Sequence, residues 1–106
     1  MTLNPVSRLL RKCRAVVTMD RTALLEEALT LITGDRHDTY GEASQHFAEI
    51  AKLWTMLLGQ EIKPAQVTLC LAAMKLIRLS GKLDHQDSWI DLVGYAALGG
   101  ELSDQE

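Results

Sequence analysis

Lys75 and Arg78 fall on one predicted helix, and Asp87, Asp91 and Tyr95 fall on the next, with Trp89 between the two aspartates. The surrounding helical sequence is otherwise nearly all apolar, so these charges must satisfy one another or hold a ligand. Two aspartates one turn apart offer hard oxygen ligands to a divalent cation. Lys75 and Arg78 offer charge-assisted hydrogen bonds to phosphate.

Counting about 100° per residue, Arg78 falls within the apolar arc of Val67, Leu71 and Met74, and Lys75 lies at its edge. Asp87, Asp91 and Tyr95 form a row at i, i+4 and i+8. If the two helices pack antiparallel across the loop 81–86, Arg78 comes level with Asp87 and Lys75 with Asp91. A structural ion-pair network and a metal–phosphate site need the same geometry. His85, Ser88 and Trp89 at this end favour the second, and Tyr95 has a ring either to stack on a base or to bury. Gly94, inside the helix, implies close approach of another helix or a ligand, because glycine there costs about 1 kcal/mol relative to alanine.

A second polar group lies in the run from Gly34 to Gly41, where two glycines bracket six polar residues. It reads either as a helix C-cap followed by a solvated loop, or as a binding loop in which Arg36 reaches a phosphate and Tyr40 closes on a base or ribose. It has neither the spacing nor the lysine of a P-loop. Glu42, His46 and Glu49 share one helical stripe whose spacing could bring two carboxylates and an imidazole to one ion but which reads as a solvated face, and Glu26 and Glu27 read as surface acids unless the fold turns one inward. Nothing resembles a serine or cysteine nucleophile with its base, and the three histidines have no zinc spacing.

The elements that position these residues are helices. Asn4 and Pro5 start the first, with Val6, Leu9, Leu10, Cys13, Val16 and Val17 on one face and four basic residues opposite. Met19 is an equally natural start, so residues 1–18 are either a native amphipathic helix, which the regular spacing favours, or an upstream extension. Asp20 caps a second helix with a stripe of Leu24, Leu25, Ala28, Leu29 and Ile32, ended by Gly34 in the left-handed conformation. A third runs from about Glu42 to Leu58, with Phe47, Ile50, Ala51, Trp54, Leu57 and Leu58 on one face. The fourth opens at Pro64, buries Val67, Cys70, Leu71, Met74 and Ile77, and ends at Gly81. The fifth follows Asp84 or Asp87 and stops at Gly99 and Gly100. The expected fold is an all-α bundle of four core helices over residues 19–102, preceded by the basic helix 1–18 and followed by a frayed acidic tail, 103–106.

Apolar residues make up 47% of the 106 and charged residues 24%, the balance of a globular chain. A body of this size has a marginal core, so a homo-oligomer is expected. No stretch reaches the roughly 20 apolar residues of a membrane span, and no secretory signal is evident. Cys13 and Cys70 fall on apolar faces and are expected to be buried thiols. Residues 1–19 carry +4, from Arg8, Arg11, Lys12 and Arg14, whereas the seven basic and fourteen acidic groups that follow give −7. The acidic body repels phosphates, so nucleic acid ranks last among partners.

The Gly34-Asp35-Arg36 start, Tyr40-Gly41, Leu53-Trp54, Lys75 with Arg78, and Asp87-Ser88-Trp89-Ile90-Asp91 leading to Gly94-Tyr95-Ala96 together resemble a family of uncharacterised small helical proteins encoded mainly by phages and prophages. The resemblance spans roughly residues 24–102 and implies a phage setting, hence the host bacterial cytoplasm. A looser likeness connects the pattern to the all-α nucleoside triphosphate pyrophosphatases, which implies acidic residues on bundle helices holding Mg2+ and a basic neighbour meeting phosphates. Those enzymes carry a glutamate-rich helix with paired acids one turn apart. Here there are only Glu26 and Glu27, then Glu42 and Glu49, before the aspartate pair.

The leading expectation is a domain that binds a nucleotide or related phosphorylated small molecule. Its ligand residues are Arg36, Tyr40, Lys75, Arg78, Trp89 and Tyr95, and Asp87 and Asp91 hold Mg2+. If catalytic, it would hydrolyse a phosphoanhydride. The alternative is a non-enzymatic interaction protein that binds a host defence or replication protein.

Overall fold

The computed structural model describes residues 19–34 and 43–104. The basic helix expected over 1–18, Arg36 and Tyr40 of the glycine-bracketed loop, and the end of the tail lie outside the described residues. Among the described residues are four helices and no strand: α1 Arg21–Thr33, α2 Ala43–Leu58, α3 Pro64–Gly81 and α4 Gln86–Ser103. This is the all-α bundle that the periodicity predicts.

The caps explain where each helix begins and ends. Asp20 Oδ1 accepts the Ala23 N–H at 2.8 Å, satisfying one of the orphan amides of α1. At the other end, Gly34 donates its N–H to the Thr30 carbonyl at 2.8 Å, with φ −101° rather than the expected left-handed value. Glycine serves here for space instead: a Cβ would stand 2.8 Å from the Thr30 carbonyl oxygen. Gly59, at φ +67°, does take the left-handed conformation after α2. The short connection to α3 is tied back by Thr55, whose hydroxyl donates to the Ala51 carbonyl at 2.8 Å and accepts the Ile62 N–H at 2.9 Å. Pro64 opens α3 where its missing N–H costs nothing. Gln66 Oε1 accepts the Lys63 N–H at 2.8 Å.

α4 is the central element, packed on α3 along one side and α1 along another. Phe47 and Ala51 of α2, Val67 of α3, and Tyr95, Leu98 and Leu102 of α4 form the main core. Ala28 and Leu31 of α1 with Ile90 of α4 form a second, smaller cluster. Gly94 lies where α1 crosses α4: a Cβ there would stand 3.1 Å from Ile32 Cγ2, so its expected role in close helix approach has a partner in Ile32.

Three expectations fail here. Gly99 and Gly100 do not stop α4, which continues to Ser103 because Leu102 anchors its last turns in the core. The buried side of α3 is Val67, Thr68, Lys75 and Leu79, whereas Cys70, Met74 and Ile77 face outward. The expected faces of α1 and α2 are likewise too wide, since Leu25, Leu29, Leu57 and Leu58 are exposed. In the last two cases the helix is apolar over more of its circumference than its neighbours cover.

Candidate functional site

The charged residues gather where α3 and α4 approach their connecting loop. Lys75 Nζ lies 3.0 Å from Asp91 Oδ2, with side-chain exposures of 8% and 10%, and is the one cation within ion-pair distance of Asp91 among the described residues. The antiparallel register behind this pair is independently marked by Gly99, whose Cβ would stand 2.5 Å from Thr68 Oγ1. Moving forward along α3 from Thr68 to Lys75 thus matches moving backward along α4 from Gly99 to Asp91, so the two chain directions are opposed. The two contacts hold the helices in one alignment, and the expected Lys75–Asp91 contact is present.

Arg78 behaves differently. It is exposed, and no ion pair joins it to Asp87 among the described residues. The reason is the rotation of α3: Leu79, not Arg78, takes the buried place in the last turn. Asp87 is half-buried in the first turn of α4, where the unsatisfied amides and the helix dipole favour a carboxylate. Of the two glutamates of α1, Glu27 is the one turned partly inward, half-buried on the side that carries Ala28 and Leu31, while Glu26 is exposed.

The loop itself is built by His85 and Trp89. His85 Nδ1 accepts the Ser88 N–H at 3.3 Å and lies 2.7 Å from Ser88 Oγ, so the imidazole caps α4. A histidine beside a serine at this distance has the outline of a base and its nucleophile, but Ser88 is completely buried and its hydroxyl reaches no substrate. Histidine is a weak capping type, and its role left no mark in the sequence. Trp89 donates its Nε1–H to the Leu83 carbonyl at 2.8 Å, pinning the loop. Lying two residues before Asp91, it projects about 200° around the helix axis from it. The indole therefore braces the loop from the other side of α4, 37% exposed.

Tyr95 is 1% exposed within the main core, so its ring packs against apolar neighbours and presents no open stacking face. His46 is half-buried, its ring edge-on to Phe47 at 5.7 Å, and Glu49 is exposed, whereas Glu42 of the same stripe lies outside the described residues. Cys70 is a free, exposed thiol, contrary to its expected burial.

The residues that could hold a divalent cation at this end are Asp87 and Asp91. Asp91 Oδ2 is bonded to Lys75, so its other oxygen is the one left for a ligand. No group of three or more histidine, cysteine, aspartate and glutamate side chains converges at metal-binding geometry among the described residues. Two carboxylates alone suit Mg2+, which keeps several waters and takes its remaining ligands from substrate phosphates. No described helix is long and apolar enough to cross a membrane.

A family model described as a domain of unknown function (DUF6378) matches residues 23–103. The Gene 55 protein of Mycobacterium phage D29 is 39% identical over 74 residues, covering 70% of this chain and 49% of that protein. The Gene 55 protein of Mycobacterium phage L5 is 32% identical over 77 residues, covering 72% of this chain and 49% of that protein. The chain thus spans about half the length of these curated relatives. No solved structure matches it. With the match running from α1 to the end of α4, and so across the helices that carry Lys75 and Asp91, the chain belongs to the DUF6378 family, a domain found in phage proteins.

Proposed function

We propose that this domain binds a nucleotide or related phosphorylated small molecule at the loop end of the α3–α4 pair. The observation that carries the reading is the buried Lys75–Asp91 ion pair with Asp87 one turn away on the same helix. A pair held only for stability is matched or surpassed by apolar residues of similar volume. Here the ammonium instead fixes one carboxylate oxygen of Asp91 and so orients the other. Exposed Arg78 stands at the same end of α3, with a guanidinium suited to bidentate phosphate binding. Arg36 and Tyr40, expected from the sequence to reach a phosphate and a base or ribose, lie outside the described residues and carry no part of this reading.

Asp87 and Asp91 are the residues that would hold Mg2+. Bound there, the ion would neutralise phosphate charge and supply an activated water for phosphoanhydride hydrolysis. Lys75 acts through Asp91, and Arg78 offsets charge on the phosphates. The setting is the host bacterial cytoplasm.

A thermal-shift panel of nucleoside mono-, di- and triphosphates and cyclic nucleotides, with and without Mg2+, tests the reading. A ligand at 100 times its dissociation constant adds about 2.7 kcal/mol. A flat response favours the second reading, a non-enzymatic protein that binds a host protein, for which the observation is the exposed end of α2 at Leu53, Met56, Leu57 and Leu58.

A further inference from the structure

We propose that two copies of this chain associate through the outer face of α3 and the groove it forms with α4. Between Pro64 and Ile77, α3 carries a single charge, Lys75, and that charge is turned inward onto Asp91. The outward face is therefore uncharged over about four turns. It presents Leu69 at 68% exposure, Leu76 at 54% and Ile77 at 73%.

Charge decides in favour of a second copy on this face. Residues 20–106 carry −7, so most surfaces of the body bring like charges together when two copies meet. The outer face of α3 does not.

Shape points the same way. A two-fold interface uses one patch on both copies, so the patch must complement itself. Leu69 and Leu76, two turns apart, form a ridge. Beside the ridge is a cavity of about 360 Å³ between α3 and α4, whose lining includes the small residues Ala65, Ala72, Ala96 and Gly100. At Gly100 nothing lies within 4 Å of where a Cβ would stand, so the floor of the groove is open. The ridge of one copy fits the groove of the other in both directions at once.

Leu69, Met74, Leu76 and Ile77 together expose on the order of 400 Å² of apolar surface, within the range of the largest patches that monomers leave to water. Doubled across a two-fold axis and joined by the groove, this approaches the roughly 1,000 Å² of the smaller specific interfaces.

Sedimentation velocity on the full chain tests the proposal, with far-UV circular dichroism as the check on folding. The wild type is expected to sediment as a species of twice the 11.8 kDa chain mass. Gly100→Leu places its Cβ in open space and its branched end in the groove, and Leu69→Glu places an acid on the ridge. Each is expected to weaken association by about tenfold or more while the helical signal is unchanged. A wild type that stays monomeric at every concentration overturns the proposal, and this is also the outcome if residues 1–18 cover the face. A dimer that survives both substitutions overturns it too, and places the interface elsewhere. Neither result depends on nucleotide binding.

Discussion

Lys75 and Asp91 meet at 3.0 Å between two apolar helices, and each depends on the other to be there. Taking a charge out of water costs several kcal/mol, and the opposite charge is what offsets it. Asp91→Ala is therefore expected to destabilise the fold by about 3–5 kcal/mol without any ligand, since it strands a buried ammonium. Lys75→Met combined with Asp91→Leu should recover most of that loss. Chemical denaturation checks both, and an Asp91→Ala variant as stable as wild type would mean that the pair contributes little and that water reaches it.

The two adjacent glycines of α4 should respond in opposite directions. Gly99→Ala drives a Cβ to 2.5 Å from Thr68 Oγ1, a buried hydroxyl already donating to the Ala65 carbonyl at 2.6 Å. Overpacking of this kind costs about 1–3 kcal/mol and outweighs the helix-propensity gain of about 1 kcal/mol. Gly100→Ala meets nothing within 4 Å and should keep the propensity gain. Denaturation midpoints compare the two, and Thr68→Ala should relieve the first.

The imidazole cap of α4 can be tested directly. His85→Ala removes the acceptor for the Ser88 N–H and the partner of a completely buried hydroxyl. Loss of a cap costs about 0.5–2 kcal/mol. Because the cap sits at the α3–α4 loop, amide exchange should accelerate most in residues 86–90. Uniform acceleration along all four helices would instead assign His85 a role in global packing.

The axial alignment of α3 and α4 was legible because a short loop between antiparallel helices lets residues be paired by counting outward from it. Lys75 opposite Asp91 follows from that count. Rotation about the helix axis was not legible, and Arg78 shows why. α3 is apolar around most of its circumference, so its periodicity marks an arc without saying which part a neighbour will cover. The structure covers Thr68 and Leu79 and leaves Met74 and Ile77 in water. Tyr95 illustrates the same limit on α4: its place in the aspartate row was correct, but depth depends on Phe47 and Val67 from other elements. Gly94 was readable as a site of close approach from its type alone. Its partner Ile32, more than sixty positions away in the chain, was not.

Asp87, half-buried at the start of α4, stands apart from the Lys75–Asp91 pair, so its charge can be removed without stranding the buried ammonium. Asp87→Asn keeps the size of the side chain at the helix start and is expected to keep the helical content of the wild type, the dipole contribution itself being worth about 0.3–1 kcal/mol. This makes it the variant in which binding and folding can be separated.

The most direct test of a phosphate-ligand site at this end of the bundle is isothermal titration of the full chain with the nucleotide that gives the largest thermal shift, in Mg2+, for wild type and Asp87→Asn. The account predicts saturable binding by the wild type, weakened about tenfold or more in Asp87→Asn and on removal of Mg2+, which is 1.4 kcal/mol or more of binding free energy. Equal affinity for the two proteins, or no heat from any nucleotide in the panel, would contradict it.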